Sequence, residues 1–342
     1  MELLKKLAGL NCISGFEYLD SGRLKYILDC LCDEVSEDSM GNLRGYIRCG
    51  DKNAPLIMLN AHYDMIGMIV SEIKENGFVR FDCVGGVDDR ILPGQEVILH
   101  GTKDIYGIIG LRPIHILTND ELKKPETRKT LAIDTGMDSE KLREIIKIGT
   151  PVSLRGKVVS LGEDFVSAPA LDDRAGCHVV LRAVEGIKKE NLKADICVML
   201  STGEELGRRG GSTGAYDVNP DMAVVVDATF GKTPESDAYN TSQMGEGPII
   251  CKGPSLSRAY VKQIIDIAEK YEIPYQVEVE GGDTGTDAFV IGTAGEGIPC
   301  VMVSFPLKYM HTGIETVSCT DLENATAILR RFILDFSEVE YA

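Results

Sequence analysis

Four short apolar runs place the strongest constraint on how this chain folds: Leu56–Leu59, Ile196–Leu200, Ala223–Val226 and Cys300–Phe305. Each reads as a buried core strand. Each also leads straight into polar residues that can do chemistry. The first runs into Asn60-Ala61-His62-Tyr63-Asp64, and the second into Ser201–Gly207 with its adjacent Glu204 and Glu205. Asp227 ends the third, and the fourth leads through Pro306, Lys308 and Tyr309 to His311. In α/β sheets, ligands bind in the crevice outside the carboxyl ends of the strands. An acid at the end of one buried strand after another is therefore a pattern with a chemical reading.

Helical spacing fills the intervals. Residues 1 to about 34 read as helical with a break: Leu3, Leu4, Leu7 and Leu10 repeat as a helix face, Ser14-Gly15 interrupts it, and Leu24, Ile27, Leu28 and Leu31 resume it. Another apolar helix follows Asp172-Asp173-Arg174-Ala175-Gly176, with Val179, Val180, Ala183, Val184 and Ile187. Two more span about 258–271 and 322–336. Either aspartate of the 172–173 pair suits the cap of its helix, and the second is surplus to capping.

Between Ile66 and Gly162 the texture changes to short strands and frequent turns. Asn76-Gly77 marks a hairpin. Glu96–Leu99, Ile105–Ile109 and Val152–Leu154 read as strands, Thr118–Arg128 as a surface loop and Asp138–Ile146 as one helix. This β-rich stretch of about a hundred residues suits a domain of its own, set inside an α/β chain. The expected division is 1–66 with 165–342 as one body and 67–164 as the insertion. The length of 342 residues agrees with two domains.

The formal charge of −17, from 36 basic and 53 acidic side chains, repels nucleic acid and anionic membranes. No run approaches a membrane span, and Met1-Glu-Leu-Leu-Lys-Lys carries charges inside any would-be apolar core of a signal peptide and reads better as a short amphipathic helix. The ten cysteines are scattered, several of them inside apolar runs, which fits free thiols in a reducing cytoplasm. The turn Gly281–Ala288 lacks the lysine of a phosphate loop and the spacing of a dinucleotide loop. His100 and His115 sit among β-type residues with no carboxylate constellation and receive no catalytic role. For His178, packing or surface is the expected fate.

The candidate ligands collected from the strand ends are His62, Asp172, Glu205, Asp227 and His311. Two histidines and three carboxylates suit two divalent ions, with zinc the first choice and cobalt or manganese alternatives. One carboxylate must then bridge. Asp64 shares a face with His62 and suits the second ring nitrogen of that histidine. Glu204 is left beside a ligand but free, as a general base should be.

Five segments together resemble the dinuclear-metal aminopeptidases of the tetrahedral, self-compartmentalising type, a family that includes glutamyl and deblocking aminopeptidases. They are Ala61-His62-Tyr63-Asp64-Met65-Ile66-Gly67, Ala170-Leu171-Asp172-Asp173-Arg174-Ala175-Gly176, Glu204-Glu205, Val226-Asp227 and Tyr309-Met310-His311. The resemblance covers nearly the whole chain. It implies a mixed-sheet α/β/α zinc-peptidase-like catalytic domain with an inserted, mostly-β dimerisation domain. It implies that Asp172 bridges, that His62 and Asp227 complete one metal site, and that Glu205 and His311 complete the other. It further implies Glu204 as catalytic base, Asp64 as the acid that orients His62, short peptides as substrates, and dimers that assemble into a hollow dodecamer. The sequence departs from the family pattern at Met65, where glutamate is common, at Lys308, where arginine is usual, and along the loop 228–232, which is polar in the family. The competing readings are a related hydrolase of an N-acyl or glycosidic bond, and a non-catalytic assembly protein.

Overall fold

A computed structural model describes residues 1–120, 123, 127–234, 236 and 241–337. The chain begins with helices α1 (Glu2–Ala8) and α2 (Ser21–Leu31), then strands β1 (Glu34–Glu37), β2 (Leu43–Ile47) and β3 (Leu56–His62). It next builds β4 (Gly67–Ile73), β5 (Val79–Val84), β6 (Glu96–His100), β7 (Asp104–Gly110), β8 (Ala132–Asp134), helix α3 (Ser139–Ile145) and β9 (Pro151–Leu154). The return path runs β10 (Val159–Leu161), β11 (Phe165–Ala168), α4 (Leu171–Val184), β12 (Asp195–Ser201), α5 (Arg209–Val218) and β13 (Met222–Phe230). It finishes with β14 (Ile249–Lys252), α6 (Arg258–Lys270), β15 (Gln276–Val279), α7 (Asp287–Gly292), β16 (Cys300–Lys308), β17 (Glu315–Ser318) and α8 (Cys319–Leu334).

The fold is a large mixed sheet with helices on both sides, plus a separate six-stranded barrel. The large sheet has the path β1-β2-β12-β3-β13-β16-β17-β11-β10, with β14 joined to β16 and β15 to β14. Its centre, β12-β3-β13-β16, is parallel throughout. These four strands are the four apolar runs. Their burial is almost continuous along the strand, because helices cover both faces. Helices α1, α4 and α8 pack together on one face, while α5 and α7 pack together on the other. From β3 the chain reaches β12 on one flank and later β13 on the other. The strand order thus reverses at β3, and a crevice opens at the carboxyl ends there.

The barrel closes in the order β4-β5-β8-β7-β6-β9, so no strand edge is left open. It has its own core, with Phe81, Leu99, Ile109, Ile133 and Val152 at the centre. Here the strands alternate: along β7 every second residue is buried, as a sheet with one wet face requires. The Asn76-Gly77 hairpin joins β4 to β5, with the Gly77 amide bonded to the Lys74 carbonyl. Asp138 caps α3 through the Lys141 amide.

Some local expectations need correction. The helical start does not continue to residue 34, since Glu34–Glu37 pairs with β2 as a strand. Residues 228–230 are not loop but the end of β13, paired with β16. His100 does have an acid beside it: its Nδ1 lies 2.9 Å from Asp104 Oδ1, and its Nε2 lies 2.9 Å from Ser153 Oγ. His178, by contrast, is packed as expected, and its burial pushes its pKa down to about 3. Part of the Thr118–Arg128 loop lies outside the described residues. All ten cysteines are free. Among the described residues, no helix is long and apolar enough to cross a membrane.

Candidate metal centre

Sheet register explains how distant residues meet. His62 ends β3 directly opposite Ser201, the last residue of β12. Three residues beyond Ser201 the chain delivers Glu204 and then Glu205. Val225 of β13 lies opposite Asn60, so two residues further along each strand Asp227 comes level with His62. Asp227 in turn lies opposite Ser304 of β16, whose strand continues towards His311. Asp172 enters from the start of α4. The helix turns become regular only after Asp173, and the Asp172–Asp173 peptide is cis.

The result is two adjoining groups of potential ligands. Asp172 stands between them. Its Oδ1 is 3.2 Å from His62 Nε2, and its Oδ2 is 3.4 Å from His311 Nε2. On one side, Asp227 Oδ1 lies 3.9 Å from His62 Nε2. On the other, Glu205 Oε1 lies 3.1 Å from His311 Nε2. Donor atoms of Asp172, Glu205 and His311 all lie within 4.8 Å of one another. The same holds for His62, Asp227 and Asp173. Asp173 is nevertheless committed elsewhere: its Oδ1 accepts from the Gly176 amide at 3.0 Å and its Oδ2 from the His62 amide at 3.2 Å. It is the helix-capping member of the pair, which leaves Asp172 as the member with both oxygens turned to histidines. The His62 group is buried, whereas the His311 group is partly open to solvent.

Asp64 ties the strand ends together. Its two oxygens accept the amides of Glu204 and Glu205, at 3.0 and 3.1 Å, and Oδ1 lies 3.5 Å from His62 Nδ1. Asp64 thus positions the Glu204–Glu205 turn through its carboxylate, and the His62 ring through its backbone carbonyl, 3.2 Å from Nδ1, with the carboxylate alongside. Among the described residues, none donates a hydrogen bond to the Glu204 carboxylate.

The electrostatics are those of an acid cluster whose paired bases, among the described residues, are His62 and His311. No lysine or arginine among the described residues pairs with Asp64, Asp172, Glu204, Glu205 or Asp227. Burial, together with the nearby charges of Asp227, Asp287 and Asp172, pushes Glu204 up to about 9 despite the opposing influence of His62. Burial and Asp172 likewise raise Asp227 well above the carboxylate range, although His62 opposes this. For His311, burial favours the neutral ring, but hydrogen bonds to Asp172 and Glu205 outweigh it and raise the pKa to about 11. His62 is raised in the same way, burial being overcome by Asp172 and Asp64. Buried like charges persist only where something offsets them, and a divalent cation does this with the fewest parts. The donor set fits such ions: two imidazoles and three carboxylates, with one carboxylate facing both positions.

Two acids of the site were not picked out from the sequence. Glu315 is buried, and its oxygens accept the amides of Asp172 at 3.0 Å and His311 at 2.7 Å. Asp287 lies buried beneath the site, bonded to Ser201 Oγ at 2.6 Å and to Asn60 Nδ2 at 3.2 Å, and burial raises it to about 6. The local signal for Asp287 was slight: an acid just after a capping threonine, Thr286, opening an apolar stretch.

Comparison with known proteins adds an independent line. The family model for the M42 glutamyl aminopeptidases matches residues 41–328. The lysyl aminopeptidase of Pyrococcus furiosus is 30% identical over 346 residues, spanning 99% of this chain and 98% of that enzyme. Among solved structures, a TET aminopeptidase from a marine-sediment Thaumarchaeota archaeon superposes with a TM-score of 0.92 at 29% identity, covering 98% of this chain and 96% of the other. The TET1 peptidase of Pyrococcus horikoshii, described as assembling into a tetrahedron or a large octahedral shell, gives 0.86 at 27% identity, covering 98% and 99%.

Proposed function

The chain belongs to the M42 glutamyl aminopeptidase family, and on that premise we propose that it is a two-metal aminopeptidase that removes N-terminal residues from short peptides. The observation that carries this reading is the placement of Asp172, with one oxygen towards His62 and the other towards His311. In this proposal Asp172 bridges, His62 and Asp227 hold one ion, and Glu205 and His311 hold the other. Zinc is the first choice and cobalt or manganese the alternatives. Divalent ions held there supply Lewis acidity, which acidifies water and polarises a peptide carbonyl.

The remaining work falls to the chain. Glu204, with its carboxylate free of donors and held next to Glu205 by the Asp64 anchor, takes a proton from the attacking water and returns it to the leaving amine. Asp64 holds the His62 ring so that Nε2 faces the cluster. The local excess of negative charge attracts a protonated peptide amino terminus, which sets cleavage at the first residue.

We also propose that residues 67–164 form the dimerisation domain and that 1–66 with 165–342 form the catalytic body. Tyr106, Ile108, Leu111, Ile114 and Ile116 are all at least half exposed on the barrel and its following turn, an apolar surface suited to a second copy. Dimers then assemble towards a dodecamer.

The test uses the purified full chain, stripped with chelator and reloaded with zinc, cobalt or manganese, against a panel of aminoacyl substrates. Activity should vanish on stripping and return on reloading, and N-acetylation of the peptide should abolish cleavage. Hydrolysis that ignores the chelator, or faster release of N-acyl or glycosidic groups, would overturn the reading.

A further inference from the structure

The barrel reaches into the candidate metal centre through two glycines that follow β5. The Gly86 carbonyl oxygen lies 3.0 Å from His311 Nδ1. A Cβ on Gly86 would sit 2.7 Å from that same nitrogen. A Cβ on Gly85 would come within 3.4 Å of Glu205 Cβ and Oε2, and Gly85 has φ +78. The turn is therefore packed against both residues assigned to the outer, solvent-facing ion. A side chain at residue 86 would force the His311 ring away.

A carbonyl oxygen only accepts. The bond to Gly86 therefore requires the proton on Nδ1, and Nε2 is left to face Asp172 and Glu205. Backbone support comes from the other side, where Glu315 accepts the His311 amide at 2.7 Å. The inner group has no such dependence. The partner of His62 is Asp64, two residues along the same segment of the large-sheet body.

We propose that the Gly85-Gly86 turn of the barrel is a positioning element for the outer metal site: Gly86 aims His311 through its carbonyl oxygen, and the two metal sites differ in their dependence on the barrel. This inference rests on the metal reading above. The inner site is built wholly from the large-sheet body. The outer site is complete only when the barrel is seated.

The test compares full-length wild type with Gly86→Ala, using Gly22→Ala on α2, where an added Cβ meets nothing within 4 Å, as control. Each protein is stripped and loaded with cobalt(II), then read by metal stoichiometry at equilibrium dialysis and by the visible cobalt spectrum. Wild type and Gly22→Ala should bind two ions per subunit. Gly86→Ala should keep the inner ion and bind the outer one about 10–100-fold more weakly. Two ions bound with unchanged affinity and spectrum in Gly86→Ala would overturn the inference. Wild type that binds no cobalt would instead overturn the metal reading itself. Should Gly86→Ala not fold, hydrogen exchange on wild type decides: amides of residues 84–88 should gain protection when the second equivalent of cobalt is added. Unchanged exchange there would refute the role of the turn.

Discussion

Loading metal into the stripped protein should expel protons, and their number can be worked out from the site. A ring nitrogen carries either a proton or a metal, not both. At pH 7 His311, raised to about 11, is protonated on both nitrogens in the metal-free protein, and His62 is raised in the same sense. Each must surrender one proton to become a ligand. Glu204, at about 9, also holds a proton before loading, and burial shifts Asp227 in the same direction. The expected release is therefore about two protons from the imidazoles and up to about three with Glu204. A pH-stat titration of zinc into weakly buffered, stripped protein counts them directly. His311→Ala should lower the count by about one, and the apparent affinity of the wild type should rise steeply with pH. Tight zinc binding with less than one proton released per subunit would refute the reasoning, because it would mean that both imidazoles are already neutral in the stripped protein.

Three further outcomes follow from the same geometry. Glu204→Gln should retain its metals and lose about 10²- to 10⁴-fold in kcat, the range for a general base; elemental analysis beside steady-state kinetics checks this, and comparable turnover removes the assignment. Glu315→Ala strands the buried amides of Asp172 and His311, at about 1–3 kcal/mol each, so its denaturant midpoint should fall clearly below wild type in the stripped protein. The metal-free protein should also lose stability as pH rises from about 5 to 9. Glu204 (about 9), Glu315 (about 8) and Asp287 (about 6) are all raised, so the folded state binds more protons than the unfolded one across that window, and stability drops as each ionises. Urea midpoints at pH 5, 7 and 9 with chelator test it; a rise with pH contradicts the sign, and added zinc should flatten the trend.

Much of the large sheet was legible because its signals are local. A run such as Ala223–Val226 has no polar residue to turn outward, and its shortness and β-branched valines suit a strand covered on both faces. The barrel was legible as a change of texture, with β7 alternating as expected. Where the reading slipped, the cause was long-range pairing. Residues 228–230 follow the acid that ends an apolar run and read as loop, yet β16 runs beside them and extends the ladder. Glu34–Glu37 carries no apolar stripe and becomes a strand only because β2 offers it an edge.

Within the site, residue types and their places at strand ends were visible along the chain, and so was the surplus acid of the 172–173 pair. Nothing local distinguishes which of the two faces the histidines. That follows from the backbone entering α4, which hands the Asp173 oxygens to the Gly176 and His62 amides and turns Asp172 outward. Glu315 and Asp287 gain their roles from partners far along the chain, Asn60 being 227 residues from Asp287. Gly86 is, to its neighbours, one more turn glycine. Only the seating of the barrel against the sheet places its carbonyl on His311. Apolar periodicity and capping act over a few residues and so are written where they act, whereas the direction of a side chain and the partner it meets depend on how separate elements dock.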